Sequence, residues 1–173
     1  MPNPIEKLAA KGAGKAAAVG ARAKGLTGVF NKLAEQHHEA AVLLKRAEGV
    51  EDPAKREDLW RTIKRELLSH ERAELSTVYP ALKQDASLKD IPQHHNAEVP
   101  ELEAAIAAVD AEGFSSLRWK ALVGHLRELV THHAEEEENE FFPRAEEALG
   151  KQASAELEDR FMAAKEKAAK GIH

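Results

Sequence analysis

The sequence predicts an all-α protein: an antiparallel up-down-up-down four-helix bundle with a basic N-terminal extension and a short fifth C-terminal helix. Three observations predict it. Apolar residues recur at helical spacing in four long stretches. Gly, Pro and Asp-Pro signals punctuate the ends of those stretches, and short connections set neighbouring helices antiparallel. Finally, the pattern His-x3-Glu-x4-aromatic-Pro occurs twice, as His70, Glu74, Tyr79, Pro80 and as His133, Glu137, Phe142, Pro143.

Residues 1–25 read as a basic Ala/Gly/Lys-rich tail or loose helix. Ile5, Leu8, Val19 and Ala23 keep a helical spacing, but Gly12, Gly14, Gly20 and Gly25 weaken it. A basic arm of this kind suits an acidic surface or partner. The four-helix unit then spans 26–149. Its first helix runs from Leu26 to Glu48 with Phe30, Leu33, His37, Ala41 and Leu44 on one stripe, and Gly49 ends it. Asp52 followed by Pro53 opens the second helix as N-cap and first helical residue. That helix turns Leu59, Ile63, Leu67, His70, Glu74, Thr77 and Val78 inward, and Pro80 bends it near its end. Residues 83–92 form a connection.

The third helix covers about 93–110, with His95, Val99, Leu102, Ile106 and Val109 on its stripe; Pro100 either kinks it or follows an irregular start. Gly113 breaks the chain, Ser115 or Ser116 caps the fourth helix, and that helix runs to Leu149 with Leu122, Leu126, Leu129, His133 and Glu137 inward. Gly150 closes it. Residues 150–173 form an accessory helix and tail, in which Leu157, Phe161 and Ala164 mark an apolar face that packs on the outside.

Composition narrows the function. Hydrophobic residues make up 43% of the 173, which supports one packed domain rather than disorder. Cysteine is absent, so disulfides, thiolate metal sites and thiol catalysis are all excluded. The net charge of −5 gives no case for nucleic acid. Six basic side chains between residues 1 and 32 face Glu6 alone, so the acidity lies in the rest of the chain. No apolar run reaches the length of a membrane span. A soluble cytoplasmic protein is expected. Nine histidines are the anomaly.

Residues i and i+4 of a helix share a face, so each copy of the repeated pattern points one imidazole and one carboxylate the same way. His37 and His95 join them from the other two stripes. A lone inward histidine is commonly a hydrogen-bonded core residue. Four of them with two carboxylates at one level are different, because burying such groups without counter-charge costs several kcal/mol each. A pair of metal cations removes that cost, so His37, His70, Glu74, His95, His133 and Glu137 form the expected ligand set. The stripes favour His37 over His38 and His95 over His94, while the repeated Gln-His-His string (Gln36-His37-His38, Gln93-His94-His95) aligns the pairs the other way. Glu66 and Glu71 read as solvated, as do Glu135, Glu136, Glu138 and Glu140, and His125 stands above the site.

The chain resembles the hemerythrin-like, or HHE cation-binding, proteins over about residues 28–148. The carriers are Gln36-His37-His38-Glu39, Leu67-Leu68-Ser69-His70 with Glu74 and Tyr79-Pro80, Gln93-His94-His95-Asn96-Ala97-Glu98, and His132-His133-Ala134-Glu135-Glu136-Glu137 with Phe142-Pro143. The resemblance implies two non-heme iron ions with an oxo or hydroxo bridge. By it, Glu74 and Glu137 are bridges, His37 and His70 serve one iron, and His95 and His133 serve the other. Val99 stands where oxygen-carrying members place a further histidine, and Glu98 is the candidate substitute. The implied function is binding or sensing of O2 or a related small oxidant. Oxidase, peroxidase or catalase-like turnover, or reduction of nitric oxide, is the alternative, and iron storage or a metal-stabilised structural bundle is a third reading.

Overall fold

A computed structural model describes residues 4–172. Among them are helices α1 (Pro4–Ala23), α2 (Gly28–Glu48), α3 (Pro53–Ala73), α4 (Tyr79–Leu82), α5 (Asp90–Ala111), α6 (Trp119–Glu136) and α7 (Phe142–Ala169), and no strand. Two five-residue π-helical turns, Glu74–Val78 and Glu137–Phe141, join α3 to α4 and α6 to α7. Residues 1–3 and 173, and the side chains of Pro4, Ile5, Glu6, Lys7 and Leu8, lie outside the described residues. No helix of the described residues is long and apolar enough to cross a membrane.

The helix ends follow their local chemistry. The Asp52 carboxylate accepts from the amides of Ala54 and Lys55, and Pro53 occupies the first turn of α3. Proline explains the π turns. Pro80 and Pro143 have no N–H to donate, and their rings collide with the carbonyl four residues back. Each helix widens ahead of its proline, so that Tyr79 N–H bonds Glu74 O and Phe142 N–H bonds Glu137 O, five residues back.

Two expectations are corrected. The fourth helix begins at Trp119, not at Ser115 or Ser116. Ser116 closes a turn instead, its amide donating to Gly113 O at 2.8 Å. The buried Arg56 guanidinium takes the Phe114 and Ser116 carbonyls, which holds this segment out of the helix. The other concerns α5, which is already helical at Asp90 and continues through Pro100; the proline and Asn96, whose carbonyl it leaves unpaired, are both exposed to water.

Apolar side chains form two clusters. One gathers Phe30 and Leu33 of α2, Tyr79 and Leu82 after α3, Ile91 of α5 and Phe142 after α6. The other gathers Leu44 of α2, Trp60 and Ile63 of α3, Ile106 and Val109 of α5, and Trp119 and Leu126 of α6. On α6 the inward stripe is Val123, Leu126 and Val130; Leu122 and Leu129 are only partly buried, so it lies one residue from the expected line. Along the chain His37, Glu71, His95 and Glu137 fall between residues of the two clusters.

Helix α1 packs along α2, with Asn31 Nδ2 donating to Ala18 O at 2.6 Å and Gly14 so close that a Cβ there would lie 2.7 Å from Glu35 O. Of the two forms expected for residues 1–25, residues 4–23 take the helical one. Gly150 (φ 78°) kinks α7, and the part beyond it folds back onto α2 and α3. Leu157 and Phe161 are buried there, so this segment completes the core instead of merely lying outside it. It meets α2 at Gly28, whose φ is 47° and whose missing Cβ would stand 2.4 Å from the Ser154 carbonyl. Gly28→Ala is expected to cost about 2–4 kcal/mol, the sum of left-handed backbone strain and overpacking. The midpoint of urea unfolding measures it.

Candidate metal centre

Four imidazoles meet in the polar gap between the clusters. The His37 ring centroid lies 5.1 Å from that of His70 and 6.4 Å from that of His133, and His95 lies 5.0 Å from His133. In each histidine one ring nitrogen is held from outside the group. His37 Nδ1 donates to Glu138 Oε1 at 3.0 Å, His70 Nδ1 to Gln36 Oε1 at 3.0 Å, and His133 Nδ1 to Glu98 Oε2 at 2.9 Å. His95 Nδ1 meets the Tyr79 hydroxyl at 2.8 Å, and that hydroxyl donates in turn to Glu137 Oε1. Carboxylate and amide oxygens can only accept, so the Nδ1 protons of His37, His70 and His133 are fixed and their Nε2 lone pairs point inward.

Those inward nitrogens face carboxylate oxygens. His37 Nε2 is 3.2 Å from Glu137 Oε2, His133 Nε2 is 3.5 Å from Glu137 Oε1, and His70 Nε2 is 3.4 Å from Glu74 Oε2. His95 Nε2 is 2.8 Å from Glu71 Oε1. Glu137 thus turns one oxygen to His37 and the other to His133. His37 Nε2, His70 Nε2, His133 Nε2, both Glu74 oxygens and Glu137 Oε2 are buried with no hydrogen-bond partner. A neutral imidazole's lone pair facing a carboxylate in a dry interior is repulsive unless a proton or a metal cation stands between them. Spacings of 3.2–3.5 Å are long for hydrogen bonds but match the edge of a coordination polyhedron. The donor set therefore fits a metal pair. Three overlapping groups have donor atoms close enough to share an ion: His37, His70 and Glu74; Glu71, His95 and His133; and Glu74, His133 and Glu137.

The charges show how the protein holds this site without a cation. Burial pushes the Glu74 carboxyl well above its ordinary range, helped by Glu137 and Glu71. Burial pulls down the His70 pKa, with His37 and Lys165 adding to it. At His37 burial pulls the same way, but Glu137 and Glu138 outweigh it and lift the pKa to about 9. His133 also reaches about 9, where Glu137 and the hydrogen bond to Glu98 overcome burial. Burial would raise Glu137, yet His133 and His37 hold its carboxylate below the usual range. Protons on His37 and His133 supply the positive charge next to Glu137. A metal ion must displace them, so affinity rises with pH towards 9.

The inward member of each histidine pair is clear: His37 and His95 are 6% and 2% exposed, against 51% and 43% for the side chains of His38 and His94. Glu98 is not brought among the inward donors. It stands behind His133, whose hydrogen bond lowers its pKa to about 2. His125 is exposed, away from the place above the site expected for it. Two glutamates read as solvated are not: Glu71 is 4% exposed, and Glu138 holds His37. A legible signal for Glu71 exists, since Ile63, Leu67, Glu71, Glu74 and Val78 form an unbroken inward line at four- and three-residue steps.

A cavity of about 50 Å³ opens beside His37, His70 and His133, between Leu67, Leu102 and Val130. It has room for a water or a diatomic molecule. The segment after Gly150 roofs it. The Phe161 ring lies edge-on to His70 at 5.6 Å, and Lys165 Nζ ties Gln36 Oε1 at 2.5 Å to Glu66 Oε2 at 3.1 Å.

With this geometry in place, comparison with known proteins adds one match. Residues 27–145 match the family model described as the hemerythrin HHE cation binding domain. No curated protein and no solved structure matches the chain.

Proposed function

The chain belongs to the hemerythrin HHE cation-binding family, and from that premise we propose that it binds or senses O2, or a related small oxidant, at a carboxylate-bridged pair of non-heme iron ions. The observation that carries this is the set of inward donors without a hydrogen-bond partner: His37 on α2, His70 and Glu74 on α3 and its π turn, and His133 and Glu137 on α6 and its π turn. Alternation supports an antiparallel up-down-up-down bundle of α2, α3, α5 and α6: one apolar cluster takes the starts of α2 and α5 and the ends of α3 and α6.

His37, His70 and Glu74 would hold one ion, and Glu71, His95 and His133 the other, with Glu74 and Glu137 spanning both. When bound, a ferrous pair supplies up to two electrons to a small oxidant. The protein does the rest. Glu138, Gln36 and Glu98 keep the Nδ1 protons in place and so aim the Nε2 lone pairs. Tyr79, whose pKa is pushed well up by burial and by Glu137, keeps its proton and holds it on Glu137 Oε1. Leu67, Leu102, Val130 and Phe161 exclude bulk water and slow proton delivery.

Metal analysis with anaerobic O2 titration tests the proposal. Two irons per chain and a visible band that appears with O2 and fades under argon are expected; a chain purified from iron-rich growth without metal would end it. Glu71 favours a second reading, since a third buried carboxylate makes the site more oxygen-rich and better suited to turnover of O2 or peroxide. Steady consumption of either oxidant would select that reading. Glu71→Ala is expected to weaken one ion at least 10-fold, whereas Glu66→Ala leaves both in place, read by metal titration.

A further inference from the structure

A second group of metal-type donors gathers on the solvent side of α5 and α6, apart from the buried site. His94 and Glu98 lie one turn apart on α5, as do His132 and Glu136 on α6. His94 Nε2 stands 3.3 Å from Glu98 Oε1 and 3.5 Å from Glu136 Oε2. His132 Nε2 stands 3.5 Å from that same Glu136 oxygen. This oxygen has no exposed surface and no hydrogen-bond partner, although the residue is only partly buried. The donor atoms of His94, Glu98 and Glu136 all lie within 4.8 Å of one another.

We propose that His94, Glu98 and Glu136 form a surface site for one divalent transition-metal cation, separate from the buried pair, with His132 beside it on Glu136. Spacing is the first argument. Ligands around a tetrahedral ion with bonds of about 2.1 Å stand about 3.4 Å apart, whereas a good N–H···O hydrogen bond is shorter. Donor type is the second: an imidazole with two carboxylates suits Zn²⁺, Fe²⁺ or Co²⁺, not Ca²⁺ or Mg²⁺, which prefer oxygen alone. The third is pre-organisation. The His94 ring is held edge-on to Phe141 at 5.2 Å, and Glu98 is anchored through its other oxygen on His133 Nδ1. Glu98 therefore touches both sites. A cavity of about 50 Å³ beside Glu98 has His95 and His133 of the buried site in its walls.

The test titrates iron-loaded protein with low-micromolar free Zn²⁺ by equilibrium dialysis, counting iron and zinc separately. Wild-type protein takes up one Zn²⁺ beyond its buried metal. His94→Ala binds that Zn²⁺ at least 10-fold more weakly with the iron count unchanged. His125→Ala, at an exposed histidine elsewhere on α6, binds it normally. No zinc beyond the buried load, or equal uptake by the His94→Ala variant, overturns the proposal. Because iron is counted apart, a chain that holds surface zinc but no iron sinks the buried-pair reading alone. Anomalous diffraction at the zinc edge supplies a second check: a peak amid His94, Glu98 and Glu136 is expected, and zinc elsewhere counts against the site.

Discussion

The Glu137→Gln variant is expected to lose both metal ions together, with affinity at least about 100-fold below wild type, beyond the loss typical of an outer hydrogen-bonding partner. Glutamine keeps the shape of the side chain and removes its charge and one acceptor oxygen. Glu137 is 1% exposed and its two oxygens face His37 and His133, which stand in different donor groups. No other side chain in the site touches both halves in this way while also taking the Tyr79 proton. Metal titration with far-UV circular dichroism as a folding check reads the outcome. Glu140→Gln, at an exposed position of the same π turn, serves as the control. A folded Glu137→Gln protein with two tightly held ions would mean that Glu137 is not the bridge.

Chelation should have the second largest effect. Each ion present at 100 times its dissociation constant adds about 2.7 kcal/mol to the folded state, so two ions raise the melting temperature by roughly 10–20 °C in a chain of this size. The physical source is Glu74. It is fully buried, neither oxygen has a partner, and burial among Glu137 and Glu71 pushes its carboxyl towards the protonated form. A bound cation offsets the cost of holding the charged form in the dry interior. Differential scanning calorimetry of iron-loaded and chelated protein measures the shift. A melting temperature indifferent to metal would leave those buried carboxylates unexplained and count against the pair.

Much of this was readable from the residues in order. Asp52-Pro53 marked the start of α3 to the residue, and Gly49 marked the end of α2, because those signals act through the local backbone. Stripe periodicity picked out His37 and His95 as the inward members of their pairs, since facing the core is what periodicity reports. What stayed hidden depended on contacts across the fold. Glu71 stands in the sequence as one more place on the inward line of α3, and its partner His95 shows only when α5 is brought to it. Glu138 belongs to an acidic run, and only α2 distinguishes it from its neighbours. The π turns were invisible too. Pro80 showed where one helix must yield, but not that it would widen by one residue and keep going, and at Pro143 the sequence reads as unbroken helix.

The roof over His70 has a consequence of its own. Phe161 and Lys165 come from beyond residue 145, where the family match stops. Family membership therefore speaks for the donors and for the apolar walls of Leu67, Leu102 and Val130, while the lid over His70 comes from a stretch of chain on which the family is silent. Kinship names the hearth; the chimney is this protein's own.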